Sequence, residues 1–493
     1  MADGVGREDY ADYYFLWHLI ALGVLDATPP VGPGCPTIGG AVWDDPAIAN
    51  GLPITVGLID MGIARNHPNL DGPPAGGGAA PSQIDWANAL DLATHRHGAT
   101  YAGGPAPTVE ARAPHLAVIN PALVNNVTPQ EADILGALQT GIGVVRPVHV
   151  YDRHYASHGT ACAGLVAGTT FAGDATGIPG SPAAYFGVAP FAKVLPITTS
   201  VAPDPEQLIA AFLYAHARNV DVILFPRDAG DLGAQAHYDM LDPNERTRLD
   251  AGEAPMLWAL FRKVIERVSQ DIPVVCAAGN DGRSRPIYPA SLAGDPANGI
   301  VAVGAVSYAG FRSGYSNYGP GLTCVAPADD GEVYNRHQLR LDTHAPEYRD
   351  HWVDGVHTQP AAPQTVAFSP ERLITLDVPG PRGYAEGSRR GLVQDRDRAA
   401  DDPGGLYTEF GGTSGAAALA AGMVALMQRK SANRIGGPAI KAAIVAGGTE
   451  TGLADWYWTG EAQLRLDAIN GPPAPATADL FGAGGLLRTA NLI

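Results

Sequence analysis

The chain has 493 residues, including 61 glycines and 42 prolines, with 46% hydrophobic and 17% charged residues. That apolar content excludes disorder throughout, and the length allows one large α/β domain with insertions or two or three smaller ones. Lys+Arg 32 against Asp+Glu 50 gives a formal net charge of −18, a field that repels phosphate backbones and anionic lipid, so neither nucleic acid nor membrane is expected as a partner.

Four cysteines, Cys35, Cys162, Cys276 and Cys324, lie far apart with no CxxC pair, which reads as free thiols in a reducing compartment. The first residues are acidic and lack the basic start and small-residue cleavage site of a secretory signal. No apolar run reaches the length of a membrane helix, and the expected location is cytoplasmic.

In chain order, the first buried-strand pattern is at 54–59, running directly into Asp60-Met61-Gly62. A helical pattern at 205–218 has Asp204 at its N-cap and Pro205 in its first position, with Leu208, Ile209, Phe212 and Ala215 on one face. A second strand pattern follows at 220–225, a second helical one at 256–269, and further strands at 272–278 and 300–306. These Val- and Ile-rich runs suggest strands buried on both faces, and their alternation with helices predicts a parallel sheet wrapped by helices. A small-residue helix is predicted from 411 to about Arg429. Stretches at about 72–151, 230–254 and 328–408 break the rhythm and are expected to be surface insertions into one catalytic domain spanning 51–493, with 1–50 as an extension and the start of that domain.

Four fragments carry chemistry. Asp60 closes a strand, where open α/β sheets build their sites; a structural carboxylate is the alternative. His158 sits in Ser157-His158-Gly159-Thr160, ahead of small residues that allow close helix packing. Asn280 follows a strand in Ala278-Gly279-Asn280-Asp281, which alone is turn chemistry. Ser414 opens the small-residue helix in Gly412-Thr413-Ser414-Gly415, placing a hydroxyl at the positive end of a helix dipole.

The order Asp, His, Asn, Ser with these flanks resembles the subtilisin-like serine peptidases, the subtilases. Val56-Gly57-Leu58-Ile59-Asp60 with His67-Pro68-Asn69-Leu70 is similar to the family's aspartate segment, Ser157-His158-Gly159-Thr160 to its histidine segment, and Gly412-Thr413-Ser414 to its serine segment. Phe186-Gly187-Val188-Ala189-Pro190, Tyr288-Pro289-Ala290 and Phe481-Gly482-Ala483-Gly484 add secondary matches. The resemblance implies a three-layer α/β sandwich with a mainly parallel sheet. It also implies a serine endopeptidase with Ser414 as nucleophile, His158 as general base, Asp60 orienting it and Asn280 in the oxyanion hole. Substrate-binding positions carried over are Phe225, Pro226 and Arg227 on one edge, and Ala277, Ala278 and Gly279 on the other. An acyl-transferring subtilase and a catalytically silent binding protein of the same fold are the alternatives.

Four departures stand out. Pro226-Arg227-Asp228 replaces the family's usual Ser-Leu-Gly on the substrate edge, so Arg227 either favours an acidic substrate side chain or pairs with Asp228 and narrows the cleft. Ala418 replaces the usual proline of the serine helix, and Gly415 a common methionine. Asn69 stands where the family often has a calcium-binding aspartate, and the loop after the histidine helix offers only Asp174 as a carboxylate. No metal or other cofactor is therefore required, and a family-type calcium site is not expected. Barely fifty residues precede the aspartate strand, which points to control by an insertion or by an activating or regulatory protein partner, beside the peptide or protein substrate.

Overall fold

The computed structural model describes residues 16–28, 37–65, 67–71, 82–92, 110–111, 116–140, 144–145, 156–169, 185–200, 203–229, 253–306, 312–313, 315–329, 352–353, 356–357, 373–379, 383–384, 406–447 and 486–492. Seven strands form the central sheet: β1 Thr55–Asp60, β2 Leu90–Asp91, β3 Lys193–Thr198, β4 Val222–Phe225, β5 Val274–Ala277, β6 Ile300–Val306 and β7 Cys324–Pro327. Their spatial order is β7-β6-β5-β4-β1-β3-β2, and every pairing is parallel. The strands are buried on both faces, as their near-continuous apolar runs require.

Alternation along each strand divides the core in two. Val56, Leu58, Val275, Ala277, Val301 and Val303 face one apolar cluster, shared with α1 Ala156–Ala167 and α4 Gly412–Lys430. Ile59, Val274, Cys276, Ile300 and Ala302 face the other, shared with α2 Pro205–Ala217 and α3 Glu253–Asp271. The result is a three-layer α/β sandwich, the architecture expected from the sequence. Asp204 caps α2 as anticipated, its side chain accepting from the Gln207 N–H.

Two expectations need correction. Part of 72–151 is core rather than surface: β2 forms the edge of the central sheet, and Leu90, Leu92, Leu116, Ile119 and Leu135 are buried in the second cluster. Residues Pro129–Thr140 form a helix there. A two-residue strand is too short to show a period, and the Pro- and Gly-rich run before it gives the stretch an insertion's composition. Within 328–408, β8 Leu373–Leu376 is fully buried and pairs antiparallel with β9 Tyr407–Phe410 against α1 and α4. Residues 230–252 lie outside the described residues. Among the described residues no helix is long and apolar enough to cross a membrane.

Candidate active site

The parallel sheet brings the carboxyl ends of β1, β4 and β5 to one rim, and the four candidate fragments meet there. Gly159 makes the first meeting possible. A Cβ on it would lie 2.1 Å from the Gly62 carbonyl and 3.4 Å from the Asp60 Cβ, so only glycine lets α1 rest directly on the end of β1. Thr160 reinforces the contact, accepting from the Ala64 N–H at 2.8 Å while donating to the Ala156 carbonyl at 2.6 Å.

The Asp60 carboxylate is buried, 1% exposed. Its Oδ1 accepts from the Met61 N–H at 2.7 Å, and its Oδ2 lies 2.8 Å from His158 Nδ1. A carboxylate can only accept, so the proton of that bond sits on Nδ1 and Nε2 of the neutral ring is left as an acceptor. Cys162, one helical turn after His158, brings its Sγ within 4.8 Å of ligand atoms of both. Burial first, and then the Asp60 charge, push this thiol far above its usual range, so it is an inert packing group.

Asn280 is locked by the residue before the serine. Its Oδ1 accepts from both the Thr413 N–H, at 2.8 Å, and the Thr413 hydroxyl, at 2.9 Å, which fixes the amide orientation and leaves Nδ2 as the outward donor. The Thr413 hydroxyl in turn accepts from the Gly279 N–H at 3.0 Å. Gly279 has φ +104 and stands too close to Asn317 for any side chain, so the turn carrying Asn280 requires glycine.

Ser414 lies in the first turn of α4, 9% exposed. Its hydroxyl donates to the Pro226 carbonyl at 2.9 Å and makes no hydrogen bond to His158. The turn before it is held by Asp329, whose Oδ1 accepts from the Gly412 N–H at 3.0 Å and from the Tyr315 hydroxyl at 2.6 Å. Gly415 packs closely on β8: a Cβ there would meet Leu373 Cδ1 at 2.8 Å, so a larger residue would require the Leu373 side chain to shift.

The remaining candidates divide by side-chain direction. Phe225 turns its ring into the core, edge-on to Phe212 at 5.7 Å, while Ala277 and Ala278 are buried. The Ala278 carbonyl already accepts from the Ile287 N–H and from Asn317 Nδ2. Arg227 does not project into the cleft: it is 9% exposed, and its Nη1 donates to Thr199 Oγ1 and the Ser200 carbonyl, each at 3.0 Å. The guanidinium is held by acceptors at the end of β3 and does not reach toward a substrate side chain, while the adjacent Asp228 charge still acts on it. Asp228 is the exposed charge of that edge.

Two aromatic residues were not anticipated. Phe410 of β9 packs edge-on to the His158 ring at 5.5 Å, and Tyr384 stacks on Phe410 at 6.3 Å. Phe410 lies four residues before Ser414, the one sequence signal that could have found it; Tyr384 gave none.

A family model described as "Subtilase family" matches residues 51–455. The chain belongs to the subtilase family of serine-type peptidases. Two relatives named "Calcium-dependent protease", from a Nostoc species and from Trichormus variabilis, are each 25% identical over 277 residues. That covers 56% of this chain, which spans only 33% of the length of either relative. Among solved structures, fervidolysin from Fervidobacterium pennivorans is 16% identical with a TM-score of 0.45, covering 99% of this chain and 47% of its own. The nisin leader peptidase NisP from Lactococcus lactis is 16% identical with a TM-score of 0.41, covering 91% of this chain and 90% of its own.

Proposed function

We propose that this protein is an intracellular endopeptidase in which Ser414, His158 and Asp60 act as a catalytic triad. The observation that carries the reading is the His158–Asp60 bond of 2.8 Å, with the second carboxylate oxygen held by the Met61 N–H. It presents Nε2 unprotonated, as a general base must be. Rotation about χ1 would release the Ser414 hydroxyl from Pro226 toward His158. Oγ then attacks the scissile carbonyl while Nε2 takes its proton, and the imidazolium is stabilised by Asp60. Negative charge on the tetrahedral oxygen is met by Asn280 Nδ2 and a backbone N–H of the α4 first turn. The same imidazolium returns its proton to the leaving amine, and water repeats the sequence to free the acid.

An intracellular setting and a regulatory protein partner belong to the same proposal; the buried, unpaired Cys162, Cys276 and Cys324 support the former. Calcium at Asn69 is not part of this reading. Asn69 Nδ2 donates to the Thr169 carbonyl at 2.9 Å and its Oδ1 accepts from the Tyr407 hydroxyl at 3.2 Å, so the side chain is held by neutral partners and brings no anionic oxygen for a cation. The calcium dependence in the relatives' names is therefore not carried over to this position.

Mass spectrometry of peptides incubated with the protein tests the reading. Hydrolysis gives two fragments whose masses sum to the substrate plus one water. Fragments joined to an added amine without that water would instead mark an acyl transferase. A silent binding protein, favoured by the Ser414–Pro226 bond, would give no products at all.

A further inference from the structure

Arg227 is a cation in an unusual place. It is nine-tenths buried, follows the proline that accepts from Ser414, and reaches back beneath the cleft to the end of β3. Thr199, which accepts from its Nη1, also donates its backbone N–H to the Asp60 carbonyl at 2.8 Å. The guanidinium is thus one residue removed from the strand end that carries the Asp60 carboxylate. Burial pulls its proton affinity down, whereas the negative charges of Asp60 and then Asp228 pull it up, so these groups share one field.

We propose that Arg227 is a positioning residue that pins the 226–228 substrate edge to β3 and, through its charge on Asp60, sets the pH at which His158 becomes a free base. The inference rests on the peptidase reading above. A buried cation anchored on Thr199, the residue whose N–H binds the Asp60 carbonyl, would disfavour a second positive charge on the imidazole and so hold the acid limb of activity at lower pH. The other groups around the pair are Cys162 from α1, Asp228 on the substrate edge and Tyr384 from the segment beyond β8, with Asp377 acting on Tyr384. Glu409 adjoins Phe410 on β9, and Arg65, in the loop after β1, packs over Trp86. Among these, Arg227 is the buried cation.

The test is the rate of covalent inactivation of the full chain by a fluorophosphonate, followed across the pH range that titrates histidine, with folding of each variant checked by thermal unfolding. Arg227→Gln and Arg227→Met should move the acid limb upward by on the order of half to one pH unit. Arg227→Lys should lower the maximal rate but leave the limb where it is in wild type. Thr199→Val removes an acceptor and keeps the charge, so it too should leave the limb in place, and it remains informative if the neutral variants at 227 do not fold. A wild-type limb in Arg227→Gln or Arg227→Met, or a Thr199→Val limb displaced upward by half a unit or more, overturns the proposal. Wild type that is unlabelled at every pH instead removes the peptidase reading, and this inference with it.

Discussion

The Ser414 hydroxyl donates to the Pro226 carbonyl at 2.9 Å, across 188 residues of sequence. The family's substrate edge is here a proline, whose carbonyl is a sound acceptor but which has no N–H. In the free protein that acceptor is occupied by the candidate nucleophile itself.

Ser414→Ala should therefore have two separable effects. Peptide hydrolysis should fall by several orders of magnitude, since the proposed nucleophile is removed. Stability should fall by only about 1 kcal/mol, the consequence of leaving one buried carbonyl without its donor. Hydrolysis assays and thermal unfolding of the same variant check both.

Asn280→Ala should reduce kcat by about a hundredfold to a thousandfold with little change in KM, because the amide acts on charge that exists only in the transition state. The same substitution frees the Thr413 N–H and hydroxyl that Oδ1 now binds. A loss that appears mainly in KM would assign Asn280 to ground-state binding.

Two glycines in helices should respond in opposite ways to alanine. Gly159→Ala puts a methyl 2.1 Å from a backbone oxygen that cannot rotate away, so α1 must lift from β1 and separate His158 from Asp60. A loss above about 3 kcal/mol, or failure to fold, is expected. Gly136, in the helix Pro129–Thr140, has nothing within 4 Å of such a methyl, and Gly136→Ala should stabilise by about 0.5–1 kcal/mol. Denaturant unfolding of the pair reads the contrast.

Acid should destabilise the fold through two buried histidines. Burial lowers His18 from 6.5 to about 3 and His67 from 6.5 to about 4. Among the described residues neither ring nitrogen of His18 has a partner, while His67 Nδ1 accepts from the Asn69 N–H and cannot also carry a proton. As pH falls below 6.5 the unfolded chain takes up protons that the folded chain refuses, so stability drops by about 1.4 kcal/mol per pH unit for each histidine. The loss continues until the folded values near 4 and 3 are reached. Above pH 6.5 neither contributes. His18→Leu, followed by unfolding midpoints against pH, should flatten the slope between 6.5 and 4.

Much of this arrangement was legible in the sequence because local patterns dictated it. The run at 300–306 is strand β6 residue for residue, and Asp204-Pro205 gives the start of α2. The small residues around His158 and Ser414 reported close packing, and Gly159 and Gly415 show what they pack against. What was not legible depends on distance along the chain. Arg227 read as a cleft residue because its acceptors, Thr199 and Ser200, lie about thirty positions earlier, just past the end of another strand. Tyr384 and Phe410 are far apart in sequence yet stacked beside His158, and β2 is two residues long.

The most direct measurement is peptide mapping after treatment with a fluorophosphonate. Wild type should carry the adduct on Ser414, and Ser414→Ala and His158→Ala should carry none. An unlabelled wild type under conditions that label an active subtilase, or an adduct that persists in Ser414→Ala, would contradict the assignment of Ser414, His158 and Asp60.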